Sequence, residues 1–300
     1  MNISFINYPE WQDTADTLHM LLQITGKIKL ERCDKRPEWA HARQYLTIDG
    51  MTTGIIQGDR SPFEIQVNFR KHHIEVRSAE GKLTLIPLKD GITIADYYQQ
   101  LMDALAYIGS PSKINVRSQE FYDQVSLDKD TKHHSYDAKA VTMFQDNLLF
   151  AYDVLNRFLS PYRGKADFPA YYFGTMDLSC ILYSGEYAPM PKKTPISYHA
   201  FDESNCEFGF WPGDVRAPKP SFYVMPYPFI SDIEGNEKML RPERAVFMLE
   251  KKEFFLTLED ALSYKNPKET IVDFFRSSFE ILQRVRRWEN IDWITQPLGY

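Results

Sequence analysis

The side chains able to move protons or bind a polar ligand are few and scattered. His19 lies beside an apolar stripe at helical spacing, His41 follows Trp39 in an irregular segment, and His134 stands in a charged stretch just before Asp137. Imidazole is the one side chain whose ordinary titration falls near neutrality, so each is a candidate acid, base or ligand. Asp177 sits between Met176 and Leu178 in an apolar run. A carboxylate there must be paired, at a strand end, or functional. His72-His73 and His133-His134 are adjacent pairs, and on a strand neighbours point to opposite faces, so neither makes a natural chelate. His199 with Asp202 and Glu203 has the donor types for a metal or a proton relay, but surface loops often carry such triplets by chance.

The second group of candidates is aromatic. Gly209-Phe210-Trp211-Pro212-Gly213 brackets an aromatic pair between two glycines, and Phe222-Tyr223-Val224-Met225-Pro226-Tyr227-Pro228 follows soon after. Trp offers a wide stacking face and one N–H donor, so Trp211 and Tyr223 suit either a packed corner or a pocket rim. Phe173 and Tyr227 add to this aromatic set.

Standard cofactor signatures are missing. There is no GxGxxG, no GxxxxGK[ST], no GxSxG and no HExxH, so no cofactor is expected. Three cysteines stand far apart with no CxxC, which argues against a disulfide framework and a thiolate zinc site. The net charge of −6 would repel a phosphate backbone, so nucleic acid is not an expected partner. Arg284, Arg286 and Arg287 end a predicted helix, where cations complement the dipole. No basic n-region with an apolar core opens the chain, and no window reaches the roughly 18 apolar residues of a membrane span. Reduced thiols in the cytoplasm, away from membranes, are the expectation.

Several elements must position these residues. A first helix, capped by Asp13 or Thr14 and stopped at Gly26, carries Leu18, Leu21, Leu22 and Ile24; a short strand is expected at 28–32 and another at 44–48. Phe63, Ile65, Val67 and Phe69 alternate with polar residues, and Ile74 and Val76 resume the alternation, which predicts a hairpin extended by Leu83 and Leu85. A helix over 94–108 begins at the cap Thr93 and stops at Gly109, and a strand is expected over 113–116. A polar connection, 118–135, precedes a long helix over 138–159 capped by Asp137. Strands follow near 170–173, 178–183, 207–211, 221–226, 245–247 and 254–256, then a helix over 268–285 opened by Pro267. Pro189, Pro191, Pro195, Pro218 and Pro220 mark loops or edges. Consecutive strands, not alternating with helices one by one, predict an α+β fold of antiparallel sheets flanked by helices, in two halves, 1–135 and 136–300.

Trp11, Thr14, Thr17-Leu18-His19, Gln23-Ile24, Gly26-Lys27, Trp39, His41, the Phe63–Val76 hairpin and His134-Ser135-Tyr136-Asp137 form an ordered series. Gly164-Lys165, Met176-Asp177-Leu178, Ser184-Gly185, Ala188-Pro189, Gly209–Gly213 and Phe222-Tyr223 continue it. The series resembles an uncharacterised bacterial family known only as a domain of unknown function, over nearly the whole chain. Two departures from that pattern stand out: Tyr171 where a histidine is expected, and Asp202-Glu203 where a His-Glu pair is expected before Gly209. The resemblance implies no activity. From the residues, the expectation is a small-molecule-binding or regulatory protein with an aromatic-lined pocket, using His19, His41, His134, Asp177, Trp211 and Tyr223. The alternative is a hydrolase or metal-assisted enzyme built on Asp177 and nearby histidines.

Overall fold

A computed structural model of the chain describes residues 3–190 and 195–298; Pro191 lies outside them. The chain is α+β, with two antiparallel sheets of five and six strands. It divides into two compact units, one of residues 1–149 and 171–176, the other of residues 150–170 and 177–300.

The first unit opens with α1, Tyr8–Arg32, a helix buried along almost its whole length from Thr14 to Lys29. Such a helix has no wet face to set its period, and the expected strand at 28–32 is instead its last turn. Gly26 does not stop it. A Cβ there would lie 2.3 Å from the Phe173 ring, so the glycine admits that ring against the helix. Strands β1 (Tyr45–Leu46), β2 (Gly50–Thr52), β3 (Phe63–Asn68), β4 (His73–Ser78) and β5 (Leu83–Pro87) form a meander in chain order. Ile65 pairs with Val76 and Val67 with Ile74, so the alternating residues share the buried face.

Helix α2, Ile94–Tyr107, starts at Thr93, whose hydroxyl accepts from the Asp96 N–H. The strand expected over 113–116 is absent; Arg117 makes only an isolated bridge with Ser126. Helix α3, Ala138–Leu159, begins where the Asp137 carboxylate accepts from the N–H groups of Lys139 and Ala140. Leu149 and Phe150, within α3, fall on either side of the division between the units.

The six-stranded sheet, in the second unit apart from Tyr171 and Tyr172, is built on β6 (Ala166–Tyr172), β7 (Asp177–Tyr187), β8 (Glu203–Trp211), β9 (Ser221–Tyr227), β10 (Val246–Met248) and β11 (Glu253–Thr257). Their order across the sheet is β10-β11-β9-β8-β7-β6. The helices are α4 (Pro195–Ala200), α5 (Leu258–Leu262), α6 (Pro267–Val285) and α7 (Ile291–Ile294). One sheet face carries Leu178, Cys180, Phe208, Phe210, Phe222, Val224, Phe254 and Leu256, all fully buried. Phe158 of α3 and Phe275 of α6 pack on Phe208, and Phe150 and Phe275 reach Phe222. Aromatic edges and faces at these separations supply both area and orientation. No helix among the described residues is long and apolar enough to cross a membrane.

Candidate functional site

The opposite face of the six-stranded sheet is polar and aromatic. Cross-strand register places Ser179 beside Gly209, Gly209 beside Tyr223, and Tyr223 beside Phe255. Residues two positions along each strand share the same face, which adds Asp177, Glu207, Trp211 and Glu253. Asp177, Trp211 and Tyr223, singled out from the sequence, therefore stand on one surface.

Tyr223 is the centre of this arrangement. Its hydroxyl lies 2.6 Å from Asp177 Oδ2 and 2.9 Å from Glu207 Oε1. One proton serves two acceptors, and burial followed by the two carboxylates holds the phenol well above its usual titration range. The ring reaches them by crossing Gly209. A Cβ on Gly209 would stand 2.4 Å from the Tyr223 Cζ, inside any permitted contact. That is the physical requirement behind the first glycine of Gly209–Gly213. The last glycine has φ +93° and opens a turn in which the Asp214 N–H donates to Ala217 O. Between them, Phe210 points into the core beside Phe222, while Trp211 takes the polar face.

At the β10–β11 end, the Lys251 ammonium lies 5.2 Å from the Trp211 ring centre and 4.9 Å from that of Phe255. Glu253 is pushed up to about 7 by burial, with Lys251 opposing the shift and Asp177 adding to it. The face thus combines two rings that already attract a cation with carboxyl groups able to pair with one. Tyr227 lies on the same face four residues from Tyr223 and packs on Phe201.

The three histidines lie in the first unit. His19 Nε2 is 3.0 Å from Phe173 O and 3.1 Å from Gly174 O. Phe173 belongs to this unit too, against Gly26. The His41 Nδ1 accepts from the Arg36 N–H at 3.1 Å, and its ring stacks on Trp39. Burial holds His41 below the ordinary imidazole range. His134 is exposed, and its carbonyl accepts from the Gly91 N–H. Its neighbour His133 is the buried one, with Nδ1 2.7 Å from Asp130 Oδ2. The signal for that pair was the i, i+3 spacing of Asp130 and His133 in the connecting segment, where strand alternation does not apply.

Among the described residues, no group of three or more His, Cys, Asp or Glu side chains is arranged to hold a metal ion. No curated protein and no solved structure matches the chain. A model of a family of unknown function, DUF5996, matches residues 4–293. The chain therefore belongs to the DUF5996 family of unknown function.

Proposed function

We propose that the protein binds a small organic cation on the polar face of its second sheet, in a reducing compartment such as the cytoplasm. The observation that carries this is the seating of Lys251 over Trp211 and Phe255, beside Glu253. The chain's own ammonium marks a place where a cation is favourable, and a ligand amine or guanidine would replace it. Asp177 and Glu207, held by the Tyr223 hydroxyl, extend the same face with carboxylate acceptors for the rest of the molecule. The wide spacing of Cys33, Cys180 and Cys206, with no CxxC, supports the compartment.

Calorimetric titration with a panel of primary amines, guanidines and quaternary ammonium ions tests the proposal. At least one should bind, more tightly as pH rises through 7 and Glu253 ionises. Trp211→Ala should weaken it about tenfold, the loss of one desolvated ring contact. Lys251→Ala should tighten it, because the internal competitor is gone. A panel with no saturable binding, or weaker binding in Lys251→Ala, overturns it.

A further inference from the structure

The last turn of α1 and the segment after it, residues 35–45, gather positive charge that cation binding does not use, all within the first unit. Lys29 and Arg43 are each 5 % exposed, and a charge taken out of water needs a counter-charge. The Lys29 ammonium donates to the Arg43 carbonyl oxygen and lies 4.0 Å from the centre of the Tyr45 ring. No carboxylate pairs with it among the described residues. A carbonyl and a ring face stabilise an ammonium without neutralising it. Burial, with Arg36 and Arg43 adding to it, lowers Lys29 to about 8, so it is still charged at neutral pH. Tyr45 is exposed, so the ammonium lies one side chain beneath the surface.

His41 stands among the same cations. It is nine-tenths buried, and its ring stacks on Trp39 with the ring centres 5.6 Å apart. Burial, with Lys35, Lys29 and Arg36 adding to it, holds the imidazole below its ordinary range, so the ring is neutral at pH 7. Its Nδ1 accepts from the Arg36 N–H, which puts the ring's proton on Nε2. That Nε2–H is a fixed donor, and it is buried with no hydrogen-bond partner. A buried donor without an acceptor costs stability, as does a buried ammonium without an acid. A ligand that is both acceptor and anion satisfies the two at once.

We propose that Lys29 and His41 form a site in the first unit for a small organic acid, whose carboxylate accepts from the His41 Nε2–H and is neutralised by the Lys29 ammonium. Charge selects a carboxylate over a phosphate. The one buried ammonium without an acid balances a monoanion, whereas a phosphate monoester brings close to a second charge. Lys35 and Arg36 are exposed and already solvated, and Arg43 has contacts of its own. Tyr45 and Trp39 place ring faces beside the two groups, which suits an acid with an aromatic body. The site shares no residue with the cation-binding face, and each reading can fail without the other.

The test is calorimetric titration of the full chain with sodium benzoate and with sodium phosphate, each against sodium chloride of the same ionic strength. Benzoate should bind saturably and more tightly than phosphate. Lys29→Met keeps the apolar stem without the charge, and His41→Phe keeps a ring on Trp39 without the donor. Each should weaken benzoate at least about tenfold, the loss of one hydrogen bond to a charged group. The second measurement needs no variant. In the wild type, the His41 imidazole N–H resonance, assigned through its contact with the Trp39 ring, should shift along the same saturation curve. No saturable benzoate binding, a response that chloride reproduces, phosphate binding more tightly than benzoate, an unmoved His41 resonance, or unchanged affinity in a folded Lys29→Met overturns the proposal.

Discussion

At the scale of single residues, Glu253 carries a stability that depends on pH. Its folded value of about 7 lies above the 4.5 of an unperturbed glutamate, mainly because of burial. Below about pH 4 both folded and unfolded forms are protonated, and the group is neutral toward folding. Between 4.5 and 7 the unfolded chain ionises first, so stability falls as pH rises, and above the folded value the loss is complete. Glu253→Gln removes the titration. It should be more stable than the wild type by about 1–2 kcal/mol at pH 8, after allowance for partial exposure. Urea melts at pH 4 should show the two proteins level, and a constant gap across the range would contradict the assignment. Tyr223 works differently. Its hydroxyl stays protonated throughout, so its bonds to Asp177 and Glu207 depend on those carboxylates and on the space over Gly209.

Elements differ in how plainly the sequence announces them. The β3–β4 hairpin was legible because Phe63, Ile65 and Val67 alternate with wet residues, and α2 because Thr93 caps a helix with a polar side. Helix α1 was legible as a helix from Leu18, Leu21, Leu22 and Ile24, but its extent was not, because burial on nearly all sides erases the period that would carry it past Gly26. That is why Gly26 reads as a stop and 28–32 as a strand. Asp177 and Tyr223 were each visible, but their bond joins residues 46 apart, and pairing across a sheet follows from register that alternation alone does not supply. Strand geometry sets adjacent histidines on opposite faces, but His133 lies in a loop and turns to Asp130, a pairing that alternation does not signal.

Gly26 lies in the interior of α1 against Phe173. In a helix interior, Gly→Ala ordinarily stabilises by about 1 kcal/mol. Here the added methyl meets Phe173 Cδ1 at 2.3 Å and Cβ at 2.9 Å, and the Cβ cannot swing aside as a ring can. Gly26→Ala should therefore destabilise by about 1–3 kcal/mol, the range for overpacking. Gly26→Ala combined with Phe173→Leu should lose less than the sum of the two single changes, and simple additivity would mean that the ring is not what the glycine accommodates.

Across the whole molecule, the three thiols divide between the units in a way that lets each unit report on itself. Cys33 follows the last turn of α1 and is only partly buried. Cys180 and Cys206 lie on the neighbouring strands β7 and β8, on the face covered by α3 and α6, and both are fully buried. Burial raises the Cys206 thiol, so its reactive thiolate is scarce as well as shielded. Under native conditions a disulfide reagent should therefore modify Cys33 alone, and mass spectrometry of the digested protein should locate the label there. As urea is added, Cys180 and Cys206 should become reactive together, because both open only when the second sheet's core separates. Cys33 and Trp11 report the first unit, while Cys180, Cys206 and the buried Trp288 report the second. Coincident midpoints for all of them would show one cooperative transition, and separate midpoints two. Labelling of Cys180 well before Cys206 would contradict the shared apolar core assigned to β7 and β8.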